Sequence, residues 1–525
     1  MLTIAERRRP TTGASLIVNP AALIGLSPVF CDLEGDGGIM IDRDDANTRH
    51  PKGVFAAAQN ALRNANSPAF SDRVGQAILF FYLCVVLVSV GAASPRFGFF
   101  PGKQLSYFFN TLSDVRSLIS LQWQYRVQKL HPSKISWPAG YPARATVEPR
   151  IGKDSLTLVQ AFRGDSYGLV LVDADGGLVH EWRIPDETNK DLAQPKDRLL
   201  PGDFKVIDGA HLYPNGDVVF TVDYYGVAKI DRCSNKIWTV AGEYHHSLSL
   251  DPAGDLWVPF REFRKSRTAG AEWISAPYFY ESVARLSPDG EFRESFPLVD
   301  AAVGGRFEGL FAEGSPDTAK TVTSDITHLN DADIVGAEFA ALNPHINEGD
   351  IVVSMRTIDS IAVIDRQTRK FKFALSGLTL RQHDPDLLPN GNILIYDNRT
   401  ERSQHNHLSY LPEGQGLGHS RIVEINPRTQ ETVWSYEGAA DSPFFSSIQG
   451  KIEPLENGNV LIVEPEGGRA FEVDRETKEI VWQFANLLEM KDGSPVYGRV
   501  TGATRHNRSD LDFLKEPACA VTAGK

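Results

Sequence analysis

The sequence predicts an all-β protein, a six-bladed β-propeller, preceded by a single transmembrane helix and short juxtamembrane helices. Three observations carry that expectation. A strand-turn-strand phrase recurs six times, a tight-turn phrase stands ahead of most copies, and one long uncharged apolar stretch lies near the N-terminus.

Taken in chain order, residues 1–73 read as a poorly ordered tail, with a basic cluster at Arg7 to Arg9 and the run CDLEGDGG at 31–38. That run lacks the alternating oxygen ligands and terminal Glu of a calcium loop. Residues 74–93, VGQAILFFYLCVVLVSVGAA, contain no charge. A helix of that length spans about 30 Å, the thickness of a bilayer core. Lys52, Arg63 and Arg73 precede it, against Arg96 and Lys103 after it. This balance favours an inside N-terminus and places the rest of the chain on the extracytoplasmic, periplasmic side, held by an uncleaved signal anchor. Residues 94–149 form a juxtamembrane linker whose stretch 104–130 has helical apolar spacing.

From residue 150 to 525 the pattern turns to short β-type runs divided by Asn-Gly and Asp-Gly turns. The repeated phrase is two or three aliphatics, a small polar residue, a polar turn, then an aromatic. Its polar slots are Asp173, Asp231, Ser287, Asp365, Asn426 and Asp474, spaced 58, 56, 78, 61 and 48 apart. One such unit cannot bury both faces, whereas six around an axis can. Trp182, Trp238, Trp434 and Trp482 close four copies and are expected between blades. Residues after 486 are expected to supply a strand that closes the ring, and the long third interval leaves room for an insertion at 300–327. A polar run at 398–418 is a second insertion.

Composition narrows the function. Lys and Arg total 54 against 67 Asp and Glu, a net charge of −13, the wrong balance for a general nucleic-acid binder. Four cysteines, Cys31, Cys84, Cys233 and Cys519, exclude a disulfide-built scaffold and a compact four-thiolate zinc site. Neither a Walker loop nor a dinucleotide fingerprint occurs, so no nucleotide donor and no cofactor are expected.

Counting seven residues back from the Asn slot of each tight turn reaches Asp208, His246, His383 and Gly450, at the channel end of an innermost strand. In the remaining blade THLND supplies His328 and Asn330, and VSMRT supplies Arg356. His211, His345, His405 and His407 are read as structural histidines. Two chemistries suit the axial set. Three imidazoles hold zinc with water as the fourth ligand. Alternatively one His is a nucleophile, another an acid-base group, Arg356 grips an anion, and Asn330 donates to a developing oxyanion. A fixed guanidinium repels a metal and favours a sulfuryl or phosphoryl group.

The fragments EYHHSLSLDPAGDLW, THLNDADIV, GDIVVSMRTIDSIAVIDRQTRKFKFALSG and LRQHDPDLLPNGNILIYDN resemble the bacterial PAPS-independent arylsulfate sulfotransferases and their wider relatives, over roughly residues 155–486. The resemblance implies an aryl sulfate donor, a phenolic acceptor and a transient sulfohistidine in a ping-pong route. It implies His383 as nucleophile. His328 and Asn330 would orient or protonate the oxygens, and Arg356 with His246 (His245 being the weaker match) would sit on the sulfate. With an unperturbed nucleophilic histidine the activity would fade below about pH 6.5. The chain departs from that family in its two insertions, its membrane anchor, and in Cys233 and Cys519, too far apart for a short-loop disulfide. Two other readings stand beside this one. A non-catalytic propeller would present loops to a membrane protein met through the anchor helix, or to a second copy. A metal-dependent hydrolase or lactonase would need axial carboxylates, of which Asp208 is the main candidate.

Overall fold

The computed structural model describes residues 150–192, 205–271, 278–313, 325–399, 420–439, 442–489 and 495–517, together with Tyr82, residues 134–135, 274, 276, 493 and 519. The chain divides into two compact units, Met1–Val90 and Gly91–Lys525, and the second holds the fold described below. The expected tail, the transmembrane stretch 74–93 apart from Tyr82, residues 314–324 of the 300–327 insertion and residues 400–418 of the 398–418 insertion lie outside the described residues. Among the described residues no helix is long and apolar enough to cross a membrane. Of the 94–149 linker only Lys134–Ile135 is described, as a short strand beside Pro495–Gly498.

Six four-stranded antiparallel sheets make the blades of a propeller. From the axis outward, blade 2 is Ile207–Leu212, Val218–Val222, Gly226–Ile230 and Lys236–Ala241. Blade 3 runs Ser249–Leu250, Leu256–Arg264, Tyr278–Leu286, Phe292–Pro297, and blade 4 Leu329–Ile334, Ile351–Met355, Ser360–Ile364, Phe371–Ser376. Blade 5 is His383–Leu387, Ile393–Asp397, Arg421–Ile425, Thr432–Tyr436, and blade 6 Lys451–Pro454, Val460–Glu464, Arg469–Val473, Ile480–Ala485. Blade 1 joins the two ends of the ring. Its innermost strand is Val500–Asn507, paired with Ser155–Phe162, followed by Tyr167–Val172 and Leu178–Arg183. The strand expected after residue 486 thus closes the circle.

The repeated polar slot has one physical job. Its side-chain oxygen accepts backbone N–H groups two to four residues ahead, which shapes the turn between the two outer strands. Asp173, Asp231, Ser287, Asp365, Asn426 and Asp474 all do this, for example Asp231 Oδ1 from the Cys233 and Asn235 amides at 2.8 Å each. The four tryptophans then tie blade to blade. Trp182 donates to the Gly216 carbonyl, Trp238 to Pro288, Trp434 to Arg475 and Trp482 to Ala174, at 2.9–3.1 Å. Each acceptor lies in a turn of the neighbouring blade, so the indole satisfies its N–H while its ring packs between sheets.

Burial follows the same plan. Six apolar clusters fill the six blade interfaces, such as Leu158, Trp182 and Phe220 between blades 1 and 2, or Val159, Val463 and Trp482 between blades 6 and 1. In blade 4 the innermost and second strands are joined by the helix Ala337–Leu342 rather than a tight turn, and this is why the seven-residue count fails there. The 300–327 insertion carries the short helices Leu298–Ala302 and Gly309–Glu313 at its start.

One covalent link was not legible from spacing. Cys233 and Cys519 form a disulfide across 286 residues, with Cα atoms 5.5 Å apart. It anchors the segment after the closing strand to blade 2. Phe513 of that segment packs against Trp182, with ring centroids 5.7 Å apart.

Candidate active site

The axial ends of the innermost strands bring the candidate residues together. His246 precedes the short inner strand of blade 3, His328 that of blade 4, and His383 opens that of blade 5. Ring centroids of His246 and His328 are 5.2 Å apart, and those of His246 and His383 are 6.3 Å apart. His246 and His328 both have left-handed backbone, at φ 57° and 49°. Such conformations cost energy in non-glycine residues and persist only where surrounding contacts enforce them.

Those contacts are visible at His246. Its N–H donates to Asp223 Oδ1 at 2.7 Å and its carbonyl accepts from Thr221 Oγ1 at 2.8 Å. Gly209 makes room for this loop, because a Cβ there would lie 2.7 Å from the His246 carbonyl oxygen. The His246 ring meets His245 through Nδ1 atoms 2.8 Å apart, and His245 stacks on Tyr224 at 4.9 Å. His245 is buried, its Nε2 making no hydrogen bond to any described residue and lying 3.9 Å from Glu281. The ring facing His328 and His383 is therefore that of His246, with His245 behind it.

His328 is held by its own neighbour. Asp325 receives the His328 N–H at 3.1 Å and its ring Nδ1 at 2.5 Å. Burial works to raise the Asp325 carboxyl, but His328, Arg261 and Arg356 outweigh it and hold it well below the usual carboxylate range. Asp325 is thus an ionised orienting group that the sequence reading did not single out.

His383 sits at a β-bulge. Its Cα pairs with Tyr396, the register slips before Asp386, and Pro385 has no N–H to give the ladder. The slip turns Asp384 aside, at φ 48°, where it accepts from Lys451 Nζ at 2.8 Å and the Ile452 amide at 2.6 Å. His383 Nδ1 lies 2.7 Å from Asn398 Oδ1, a second residue outside the sequence reading. Burial first, then the Arg356 charge, pushes the His383 pKa well below the ordinary histidine value. Burial likewise depresses His246 and His245. All three imidazoles are neutral at neutral pH.

Arg356 occupies the 3-10 turn Arg356–Ile358 after the second strand of blade 4, its amide bonded to the His328 carbonyl at 3.1 Å. It is 8% exposed, and its guanidinium donates no hydrogen bond to any described residue, although the charges of Asp325 and Asp359 act on it. Burial and the neighbouring Arg381 lower its pKa to about 10. A buried guanidinium without a hydrogen-bonded acceptor is costly unless an anion completes it. Asn330 is placed differently from the other four. One amide hydrogen goes to the Gln382 carbonyl at 2.8 Å, which ties blade 4 to the residue before His383.

Below these rings the channel is lined by charge. Asp331, Asp333, Asp384, Asp386 and Glu453 alternate along three inner strands around Lys451. Burial raises Asp331 and Asp386 well above the carboxylate range and pushes Asp333 to about 6. The axis therefore holds more carboxylates than the sequence count allowed. Only one trio among the described residues, Asp208, Asp223 and His246, sets possible metal-ligand atoms within 4.8 Å of one another. One oxygen of each carboxylate is already engaged, Asp223 Oδ1 with the His246 amide and Asp208 Oδ2 with Gln449 Nε2 at 3.3 Å, and the Lys451 charge bears on both Asp208 and His246. Those contacts disfavour a metal ion.

The comparisons with known proteins bear on this site. The model of the family described as arylsulfotransferase (ASST) matches residues 209–486, more than half of the chain. That span contains His246, His328, Asn330, Arg356 and His383. No curated protein matches the sequence. Among solved structures, a protein of unknown function from Bacteroides caccae is similar at 13% identity and a TM-score of 0.40, covering 67% of this chain and 98% of that one. Virginiamycin B lyase from Staphylococcus aureus is similar at 11% identity and a TM-score of 0.29, covering 53% and 69%. Neither likeness is close enough to bear on the chemistry. The family match is: this chain belongs to the arylsulfotransferase family.

Proposed function

We propose that the protein transfers a sulfuryl group from an aryl sulfate ester to a phenolic acceptor through a transient sulfohistidine on His383, in ping-pong order and without a nucleotide donor. One observation carries this reading. A neutral, buried His383 feels the charge of Arg356, a buried guanidinium that donates no hydrogen bond to any described residue, and its ring faces His246, which in turn faces His328.

In this reading Arg356 and His246 bind the sulfuryl oxygens, where charge builds in the transition state. His383 attacks sulfur in line with the departing phenol. His328, oriented by Asp325, protonates the phenolate as it leaves and takes the proton of the incoming phenol. Asn330 acts through the Gln382 carbonyl on the placement of His383. The Cys233–Cys519 disulfide supports an oxidising, extracytoplasmic location, since such bonds do not persist in most cytosols. Anchoring by residues 74–93 belongs to the same proposal, as does contact with a membrane-protein partner or a second copy.

Steady-state kinetics with a chromogenic aryl sulfate and a phenol test the function. Phenol release that depends on acceptor, with parallel double-reciprocal lines, is the expected result. No release with any aryl sulfate tried, in a folded protein, would leave the alternative of a non-catalytic propeller serving as an interaction module.

A further inference from the structure

Asn398 directly follows the second strand of blade 5, Ile393–Asp397, and is fully buried. Its amide nitrogen faces two acceptors, the Ser446 carbonyl at 2.9 Å and the Gln449 carbonyl at 2.7 Å. Both hydrogens of that nitrogen therefore have destinations. Turning the amide over would set its oxygen against two carbonyl oxygens. The oxygen must face His383. The other group near His383 Nδ1 is the Arg381 carbonyl oxygen at 3.1 Å, again an acceptor. A nitrogen faced only by acceptors carries the ring proton. The lone pair of the neutral ring is then on Nε2.

We propose that Asn398 is a positioning residue that locks His383 in the Nδ1–H tautomer, makes Nε2 the atom that takes the sulfuryl group, and by being uncharged keeps the resulting N–S bond easy to break. This rests on the sulfuryl-transfer reading. In the first half-reaction the Nε2 lone pair forms the N–S bond and the S–O bond to the aryl group breaks. The phenolate leaves with that electron pair and is protonated. The His383 ring keeps its Nδ1 proton and gains one positive charge. In the second half-reaction the acceptor phenol gives up its proton, its oxygen bonds to sulfur, and the N–S pair returns to Nε2. A carboxylate at position 398 would stabilise the charged ring and trap the intermediate, whereas an amide orients it without that stabilisation. The charged groups that bear most on the His383 ring are Arg356 and His328 of blade 4, with His246 of blade 3 and Lys451 of blade 6, while the adjoining carboxylate Asp384 is turned aside onto Lys451. None of them supplies a counter-anion.

Asn398→Asp changes charge at nearly constant shape, and Asn398→Ala removes the lock. N398D should raise the His383 titration midpoint, followed by NMR of labelled histidine, by about one pH unit or more. The acid limb of kcat/KM should move with it, and intact mass should show a larger sulfuryl-adduct fraction at steady state. N398A should lower kcat about 10²-fold. An unmoved midpoint and acid limb in N398D, or an adduct located on Nδ1, overturns the proposal. A wild type that forms no adduct, with the midpoint still raised in N398D, overturns the sulfuryl reading and the attacking-atom claim but upholds the tautomer lock. Should N398D not fold, the ring nitrogen shifts of wild-type His383, which differ between tautomers, decide the same point.

Discussion

His246 and His383 meet with ring centroids 6.3 Å apart and planes inclined by 36°, although they belong to different blades. The ring of six sheets is what converts a distant pair in sequence into neighbours in space. Blades 3, 4 and 5 deliver His246, His328 and His383 to the same end of the channel, so the packing between those blades fixes the site.

Replacing His383 by Ala removes the proposed nucleophile but not a core group. Turnover should fall by at least about 10³-fold. The circular dichroism spectrum should be that of the wild type. Full activity in this variant would place the attacking atom elsewhere.

Arg356→Met should separate stability from activity. The guanidinium is buried and donates no hydrogen bond to any described residue, so losing its desolvation cost offsets losing its support of the Asp325 carboxylate, and an apolar side chain of similar length should shift stability by less than about 1 kcal/mol in either direction. The same change should lower kcat/KM by about 10²–10³-fold. A thermal melt and a rate suffice. A loss of several kcal/mol would make Arg356 chiefly a structural partner of Asp325.

Asp325→Asn leaves the shape of the His328 contact but removes its charge. If His328 protonates the leaving phenol, the penalty should grow with the basicity of that phenol. It should be small for a nitrophenyl sulfate and about tenfold larger for unsubstituted phenyl sulfate. An equal penalty for both would assign Asp325 a structural role only.

The pH dependence follows from burial. Because burial and Arg356 depress His383, the acid limb of kcat/KM should lie well below the roughly 6.5 of an exposed histidine. This differs from the expectation for an unperturbed ring. Stability should show the same group with a definite sign. Below about pH 6.5 the unfolded chain protonates this histidine while the folded chain does not, so its contribution to stability is lost as pH falls, by up to about 1.4 kcal/mol per unit. Asp331 and Asp386, raised by burial, work in the opposite sense, their contribution being lost as pH rises through their folded values. Comparing urea unfolding of wild type and His383→Asn at several pH values cancels the carboxylates. A shallower fall in the variant is expected, and parallel curves would contradict it.

The disulfide offers a separate test. Cys233→Ser should destabilise by about 2–5 kcal/mol, and reductant should bring the wild type to the same melting temperature.

Much of this was legible in the sequence because the blade repeat obeys local rules. Asp231 or Asp474 must accept nearby amides to make a turn, and Trp182 must bury its ring, so both recur at fixed offsets. The seven-residue count found His246 and His383 for the same reason, and failed in blade 4 where a helix replaces the turn. What stayed hidden was contact across blades. Asn398 lies at a strand end with no motif of its own, and its partners Ser446 and Gln449 belong to the next approach to the axis. Cys233 and Cys519 had no spacing to connect them. The axial acids did leave a trace, the alternating NDAD and HDPD of two inner strands, which is the period-two signature of one strand face.

The most direct measurement is intact mass of the full-length protein after mixing with excess aryl sulfate and no acceptor. A gain of one sulfuryl group, lost on adding a phenol and absent from H383A, is the outcome expected here. An unchanged mass in a protein that nonetheless turns over donor and acceptor, or an adduct that survives in H383A, would contradict transfer through His383.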